Sequence, residues 1–395
     1  MNICIFTKQH IASGRGGLEN VTLELSNHLS SIGYNIFMLS AHKPIYNDQL
    51  LSQQFFLPHK EVNTLRNEQY ITSFLYKHNI DIIINESYEI CILNILVTAN
   101  KKKVPIISVL HTDPVAAIKS VQDNWDFWKV KHGSVKFTFL YPYLYLRRLY
   151  QIYTRKKYTR LKHLYYYDKS DAVVLLSEQF FKSFQRISGV TDTKRLYAIS
   201  NPNTIKVEKS NLAEKENIIL FIGRLVFQKR LDRLLKIWNR IKDREGWKLI
   251  IVGDGPDREL YEVLCRKWNV EKVEFVGHCN PEPYYLKAKI LCMTSSYEGS
   301  PLVITEALQN EVIPIVYNSY EAASDIIENK FNGYLIKPFS EEDYSKTLSA
   351  LITDNELRNR IRNNIRSSNS GNKFGKSNII DKWKCLLTEV CQKHE

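Results

Sequence analysis

Short apolar segments alternate with amphipathic helical segments along most of this chain, and that alternation limits the fold it can adopt. In the first half, apolar runs at 2–6, 80–85 and 105–110 are separated by stretches with helical spacing of apolar residues. The second half repeats the pattern, beginning with 218–222 and 248–252. Apolar strands separated by helices are typical of a parallel sheet covered on both faces. We therefore predict an α/β chain built on doubly wound parallel sheets.

The length of the chain divides this pattern into two domains. A chain of 395 residues is too long for one ordinary hydrophobic core. A polar stretch at 201–217 separates the two halves. We predict domains at 1–205 and 206–375, with a basic, tyrosine-rich insertion at 125–169 in the first domain. The last segment, 376–395, has the apolar spacing of one amphipathic helix.

Two glutamates, Glu298 and Glu306, flank a Gly-Ser-Pro turn between a strand-like run and a helix. Seven residues separate them, and Pro301 suits the first turn of the helix that follows. The free N–H groups and the positive end of such a helix form an anion site. Carboxylates beside an anion site can accept hydrogen bonds from the hydroxyls of a sugar attached to a phosphate. The segment therefore predicts a sugar-phosphate site.

Positive side chains come from the turn after another strand. Arg224 and Lys229 follow the apolar run 217–222 and precede a helix with leucines at helical spacing. Cations at a helix N-terminus oppose its dipole, so an anion between them is favoured. An arginine fork and a lysine suit a leaving diphosphate that no metal neutralises. The sequence has no Asp-x-Asp pair and no cluster with metal-ligand spacing, so we expect neither a metal nor a cofactor.

In this order and spacing, the two segments resemble the retaining nucleotide-sugar glycosyltransferases of family 4, which have the two-domain GT-B architecture. In that family an Arg and a Lys hold the donor diphosphate, one Glu contacts the donor sugar and a second Glu contacts the ribose. The resemblance assigns these roles to Arg224, Lys229, Glu298 and Glu306. It also implies Rossmann-like domains, the first binding the acceptor and the second the nucleotide sugar, with the last helix crossing back onto the first.

Other segments extend the resemblance over nearly the whole chain. A glycine-rich loop at 14–19 follows the first strand, His111 follows another strand, and glycine turns occur at 253–256, 275–278 and 332–335. The resemblance places Glu19 and His111 at the acceptor, and His111 also in the catalytic centre with Arg224, Lys229 and Glu298. Further donor-binding residues that it implies are Gly16, Gly17, Gly277, His278, Gly299, Ser300, Pro301, Leu302 and Val303.

Two positions depart from the family pattern. Arg230 stands where a glycine commonly follows the lysine, and 201–203 reads Asn-Pro-Asn where Asn-Gly is usual. Both departures bear on local turns, and neither removes a group with a proposed chemical role.

The chain is basic, with a formal net charge of +13, and much of that charge is concentrated. Eleven Lys or Arg residues and one acid lie between Lys129 and Lys169, together with nine tyrosines. Basic residues beside aromatic ones are typical of a surface that binds anionic lipid headgroups. The candidate membrane contacts are Arg147, Arg148, Arg155, Lys156 and Lys157. The alternative is a solvated helical pair whose tyrosines pack on the domain. Nucleic acid is not expected, because no nucleic-acid-binding module accompanies the charge.

The cysteines and the hydropathy pattern indicate a compartment. Seven scattered cysteines without metal-ligand spacing are typical of a reducing environment. We recognise no secretory leader and no apolar run of membrane-spanning length. The predicted location is the cytoplasm, with peripheral binding at the inner face of the cell membrane.

The resemblance implies a function. It is the transfer of a hexose or N-acetylhexosamine from a nucleotide-diphosphate sugar, expected to be a UDP-sugar, to a glycan acceptor with retention of configuration. The favoured mechanism is front-face attack. The basic segment suggests a lipid-linked acceptor in bacterial capsule, O-antigen or lipopolysaccharide synthesis. Two alternatives stay open: another GT-B enzyme, such as a phosphorylase or sugar-nucleotide epimerase, and a non-catalytic sugar-nucleotide-binding scaffold.

Overall fold

The computed structural model describes residues 1–11, 17–43, 54–132, 134–203, 215–368, 370 and 374–394, of which 134–139 and 376 are described by their backbone alone. The chain divides into two compact units. The first comprises Met1–Val115, Lys157–Thr204 and Phe374–Glu395, and the second comprises Ala116–Lys156 and Ile205–Lys373.

Each unit is built on one parallel sheet, as the sequence predicts. The first sheet has seven strands in the order β3-β2-β1-β4-β5-β6-β7, and every pair is parallel. Its strands are β1 (Asn2–Gln9), β2 (Asn35–His42), β3 (Gln54–Phe56), β4 (Ile82–Asn85), β5 (Ile106–Leu110), β6 (Ala172–Leu175) and β7 (Leu196–Ala198).

The second sheet has six strands in the order β10-β9-β8-β11-β12-β13, again all parallel. Its strands are β8 (Ile218–Ile222), β9 (Lys248–Val252), β10 (Val273–Gly277), β11 (Ile290–Met293), β12 (Ile313–Tyr317) and β13 (Tyr334–Ile336). The central strands are buried on both faces, which is why they read as continuous apolar runs.

Helices lie between most of the strands, and the last three follow the final strand, β13. They are α1 (Gly17–Ser31), α2 (Leu65–Lys77), α3 (Ile90–Ala99), α4 (Ala116–His132), α5 (Ser134–Lys169), α6 (Phe180–Ser188), α7 (Leu231–Arg240), α8 (Arg258–Lys267), α9 (Glu282–Lys287), α10 (Leu302–Gln309), α11 (Ala323–Ile326), α12 (Glu341–Thr353), α13 (Asn355–Ser367) and α14 (Lys376–Gln392). None of the helices in the described ranges is both long enough and apolar enough to cross a membrane.

The final helix, α14, packs on the first unit. Its Ile380, Trp383 and Leu387 share one hydrophobic cluster with Ile3 and Ile84 of the first sheet. An apolar face repeated at helical spacing therefore completes the core of a unit whose other residues lie more than 170 positions earlier in the chain.

The basic insertion differs from its predicted assignment. We expected 125–169 to belong wholly to the first domain, but the structure groups Ala116–Lys156 with the second unit. Two buried side chains of α4 explain the difference. Asp123 forms an ion pair with Arg230, and the ring of Phe127 packs near Tyr261. Only the part of α5 from Lys157 onward belongs to the first unit.

Candidate functional site

Neighbouring parallel strands bring two predicted segments together in the second unit. Strands β8 and β11 are paired, so the loops at their carboxyl ends meet at one edge of the sheet. The loop after β8 contains Arg224 and ends in a 3₁₀ turn at Phe227–Lys229. The loop after β11 contains Glu298 and leads into α10.

Lys229 and Glu298 form an ion pair across these two loops. Lys229 Nζ donates to Glu298 Oε1 at 2.6 Å, and the two side chains are 19% and 10% exposed. A charge-assisted bond in such a partly buried position is stronger than one on an open surface. The structure therefore brings together a cation and a carboxylate that lie 69 residues apart in the sequence.

Hydrogen bonds to backbone carbonyls join the same two loops. The backbone N–H of Ser296 donates to the carbonyl of Gln228 at 2.9 Å, and the side-chain amide of Gln228 donates to the carbonyl of Tyr297 at 2.7 Å. The Thr294 hydroxyl lies within 3.1 Å of the carbonyl of Lys229. These bonds limit the separation of the loops, so the position of Lys229 depends on the loop that carries Glu298.

The other predicted groups of this unit lie around the pair. Arg224 is exposed on its turn, and its guanidinium makes no hydrogen bond or ion pair with any described residue. Leu302 and Val303 are the first residues of α10, where backbone N–H groups have no acceptor within the helix. Gly299 and Ser300 precede them, with Ser300 buried and Pro301 immediately before the helix. This arrangement can bind an anion between cationic side chains and amide dipoles.

Glu306 is buried on α10 and is held by a tyrosine that the sequence analysis missed. The hydroxyl of Tyr285 donates to Glu306 Oε2 at 2.9 Å, and Tyr285 is fully buried. Burial, followed by the nearby Glu306 carboxylate, raises the pKa of Tyr285 well above its usual value. The hydroxyl therefore stays protonated and orients the carboxylate. Tyrosines are common in this chain, so nothing in the sequence distinguishes Tyr285.

Replacing Tyr285 by phenylalanine is expected to lower the free energy of unfolding of the second unit by about 1–3 kcal/mol, because a buried carboxylate oxygen loses its donor. Urea denaturation followed by tryptophan fluorescence measures this difference. Tyr76→Phe, in the first unit, is the control for loss of an exposed tyrosine hydroxyl, since Tyr76 is 54% exposed. Equal unfolding midpoints for both variants would show that Glu306 needs no such support.

Glycines determine how closely the turns at the ends of β8 and β9 approach each other. A Cβ added at Gly253 would lie 2.0 Å from the carbonyl oxygen of Gly223, and one at Gly255 would lie 2.4 Å from that of Leu225. Both contacts are impossible, so the turn after β9 needs glycine to pack against the turn that carries Arg224. Gly277 ends β10 and has φ +79°, and His278 after it is exposed.

The first unit brings a second pair together. His111 follows β5, and Glu86 follows the adjacent strand β4. His111 Nε2 is hydrogen-bonded to Glu86 Oε2, whose side chain is 3% exposed. A carboxylate only accepts, so Nε2 donates and Nδ1 is the ring nitrogen left for another group. His111 Nδ1 is buried without a hydrogen-bond partner among the described residues. Glu86 was missed, although an acid directly after a buried strand was a usable signal.

The remaining predicted groups of the first unit are at the start of α1. Gly17 is its first residue and is exposed, and Glu19 lies in its first turn. Gly16 and the rest of the glycine-rich loop at 14–16 lie outside the described residues. Across the described ranges, no three His, Cys, Asp or Glu side chains are grouped closely enough to hold a metal ion.

Models of known families match both halves of the chain. Residues 15–202 match "Glycosyltransferase Family 4", and residues 203–368 match "Glycosyl transferases group 1". Each half of the chain thus belongs to a glycosyltransferase family, and two Rossmann-like units built on parallel sheets are the GT-B fold.

Curated bacterial proteins are similar in sequence. The chain is 30% identical over 229 residues to the amylovoran biosynthesis glycosyltransferase AmsD of Erwinia amylovora, covering 56% of this chain and 63% of that protein. It is 31% identical over 245 residues to a diNAcBac-PP-undecaprenol-linked glycan α-1,4-N-acetyl-D-galactosaminyltransferase of Campylobacter jejuni, covering 61% and 66%. The chain thus spans less than two thirds of the length of these relatives.

Solved structures share the fold over nearly the whole chain. The lipopolysaccharide outer core galactosyltransferase WaaB is 20% identical with a TM-score of 0.67, covering 98% of this chain and 99% of that one. Anabaena Alr3699/HepE in complex with UDP is 15% identical with a TM-score of 0.73, covering 98% and 100%. These similarities confirm the GT-B fold predicted from the sequence.

Proposed function

We propose that this protein is a retaining, metal-independent glycosyltransferase that moves a hexose or N-acetylhexosamine from a UDP-sugar to a glycan acceptor. The observation that carries the proposal is the Lys229–Glu298 pair at 2.6 Å, placed where adjacent parallel strands end and where α10 begins. A cation and helix amides suit the diphosphate, and the carboxylate suits a sugar hydroxyl. Both features belong to one small region of the second unit.

The chemistry follows from these groups. The bond between the anomeric carbon and the diphosphate oxygen breaks, and its electron pair goes to the diphosphate. Lys229, Arg224 and the N–H groups at the start of α10 stabilise that charge. The acceptor hydroxyl attacks from the same face, forms the new glycosidic bond and gives its proton to the departing phosphate oxygen. Glu298 and Glu306 orient the sugar and the ribose, and the residues around Gly277 and His278 contact the base.

The acceptor belongs to the same proposal. The Campylobacter relative is named for an undecaprenol-linked glycan, and the Erwinia relative for the biosynthesis of a polysaccharide. We therefore assign this protein a lipid-linked glycan acceptor in bacterial surface polysaccharide synthesis, at the inner face of the cell membrane. The proposed acceptor contacts are His111 and Glu19. His111 directly follows the carboxyl end of β5, and Glu19 lies in the first turn of α1.

Helix α5 supplies the proposed membrane contact. Four of its apolar side chains, Tyr143, Leu146, Tyr150 and Tyr153, are 64–70% exposed and recur three or four residues apart, so they form one stripe along the helix. Exposed apolar side chains on a basic helix favour the interface of an anionic bilayer. The exposed basic residues of the same helix that we propose as further contacts are Arg147, Arg155, Lys156 and Lys157.

Arg148 has a different role from the other basic residues of α5. Its guanidinium lies 5.2 Å from the centre of the Trp125 ring on α4, and its side chain is half-buried. Such a cation–π contact holds the two helices together. Arg148 is therefore engaged between α4 and α5 and is not among the proposed membrane contacts.

A panel of nucleotide sugars tests the proposed function. Thermal shift should identify UDP and one UDP-sugar as stabilising ligands, and incubation of that donor with an isoprenoid-linked glycan should release UDP. Proton NMR of the product should show the anomeric configuration of the donor, and EDTA should leave the rate unchanged. Inversion, full dependence on magnesium, or phosphate-dependent glycan cleavage would each contradict the proposal.

Replacing Glu86 by alanine is expected to lower kcat/KM about tenfold, because a His111 ring that can rotate is no longer held for reaction. The release of UDP at varied acceptor concentration measures the effect. Glu89→Ala is the control, since Glu89 follows the same strand and pairs with Lys8 on the surface. Wild-type kinetics in the Glu86 variant would show that the orientation of His111 does not matter for turnover.

A further inference from the structure

A buried ionic cluster links the inserted helix α4 to the second unit. Arg230 lies at its centre and is 3% exposed. Its guanidinium donates two bonds of 3.0 Å to the carboxylate of Asp232 and one of 2.9 Å to Asp123 Oδ1. Asp123 comes from α4, 107 residues earlier in the chain, and its side chain is 4% exposed. One cation is thus held between two buried carboxylates.

The same Asp123 oxygen joins both loops of the proposed donor site. Oδ1 also accepts from the hydroxyl of Ser296 at 2.5 Å. Ser296 lies two residues before Glu298, and Arg230 follows Lys229 directly. A single carboxylate oxygen therefore bridges the loop after β8 and the loop after β11.

A second residue of α4 contacts the same region. Phe127, one turn after Asp123, lies 5.9 Å from the Arg230 guanidinium and 6.3 Å from the ring of Phe227. Phe227 begins the 3₁₀ turn that ends at Lys229. Helix α4 therefore packs against the lysine-bearing turn with an apolar side chain as well as an acid.

We propose that Asp123 is a positioning residue. It holds Lys229 and Glu298 in register for the donor diphosphate and sugar, and it does not touch the donor itself. The inference rests on the proposed function. Its physical basis is that one oxygen accepts from both loops, so a displacement of either loop breaks a buried hydrogen bond. The inserted helix α4, which α5 follows in the chain, thereby contributes to the donor site.

Stability alone does not explain Asp123. Asp232 already neutralises Arg230 through two bonds, so Asp123 leaves the cluster with one surplus negative charge. Asp123 Oδ2 is buried without a hydrogen-bond partner among the described residues. Burial, opposed in part by Arg230, raises the pKa of Asp123 to about 6. A buried ionised group of this kind is unfavourable by itself, which is expected of a residue that serves the site.

The test compares three substitutions on α4, using UDP as the probe. Asp123→Ala removes the bridge, whereas Asp123→Asn keeps an oxygen that can accept from Ser296. Asp126→Ala is the matched control, because Asp126 is on the same helix outside the cluster. We expect Asp123→Ala to weaken UDP binding about tenfold and to lower kcat more than it raises the acceptor KM. Asp123→Asn should recover most of both, and Asp126→Ala should match the wild type.

Other outcomes separate the positioning role of Asp123 from the proposed glycosyltransferase function. Wild-type UDP affinity and kcat in Asp123→Ala would overturn the positioning role while leaving the proposed function intact. If the wild type binds no UDP and no other nucleotide in the panel, both claims fail. Should Asp123→Ala not fold, Ser296→Ala removes one hydrogen bond to the same oxygen from the other loop. It should weaken UDP binding severalfold, and unchanged binding would overturn the inference.

Discussion

Replacing Lys229 by alanine should lower turnover by about 10²–10³-fold, because the leaving diphosphate loses a cation in a partly buried site. The ammonium of Lys229 is held in place by Glu298 at 2.6 Å, so it needs no rearrangement as charge develops. Release of UDP from the identified donor, with acceptor in excess, measures the loss. Both kcat and kcat/KM should fall, since the interaction strengthens as the bond breaks.

A matched control separates this effect from general loss of charge or stability. Lys267 is exposed at the end of α8, and Lys267→Ala should retain wild-type turnover. Circular dichroism should show the same secondary structure in both variants. If the Lys229 variant keeps wild-type turnover, the diphosphate is stabilised by other groups, and Lys229 is not part of the catalytic centre.

The sheets could be predicted because their strands are buried on both faces. Runs such as Ile218–Ile222 and Ile290–Met293 are almost wholly apolar and are bounded by glycine or polar turns. Burial imposes that pattern locally, so it is visible without knowing the neighbours of a strand. The pairing of β8 with β11, which brings Lys229 to Glu298, depends on contacts far apart in sequence and became evident only in the structure.

The residues that support the site could not be predicted for the same reason. Tyr285 lies on the short helix α9, and only its bond to Glu306, 21 residues later, distinguishes it from other tyrosines. Asp123 is one of several polar residues of α4, and its partner Arg230 is 107 residues away. Local periodicity carries no information on such pairs, so it did not reveal that residues 125–156 group with the second unit.

Backbone geometry and side-chain bonds explain how an arginine is accommodated at position 230, where the family commonly has glycine. Its φ of +50° and ψ of 44° place it in the left-handed region, where glycine is favoured and other residues are strained by about 1–2 kcal/mol. The family pattern commonly has glycine at this position, which the left-handed geometry favours. Here the bidentate bond to Asp232 and the bond to Asp123 hold the arginine in that conformation. The arginine is therefore accommodated together with its two partners, Asp123 of α4 and Asp232 of α7.

The exposed basic residues of α5 give the second large effect. Neutralising Arg147, Arg155, Lys156 and Lys157 to glutamine should reduce partitioning onto anionic vesicles by about 10³-fold at low salt. Each basic residue near such a surface contributes about 1 kcal/mol, and four together contribute about 4 kcal/mol. Cosedimentation with vesicles of phosphatidylglycerol and phosphatidylethanolamine measures the partition coefficient, and added salt should weaken wild-type binding because it screens these charges.

The position of the charges, rather than their number, should decide the outcome. A control variant carries glutamine at four exposed basic residues away from α5, namely Lys194, Arg266, Lys267 and Lys382. It has the same net charge as the test variant, so a general electrostatic attraction would weaken both equally. Replacing Leu146, Tyr150 and Tyr153 by serine should remove the salt-insensitive remainder of binding, because these side chains bury apolar surface in the interface. Vesicle binding that resists salt and both sets of substitutions on α5 would mean that α5 faces water and contacts no membrane.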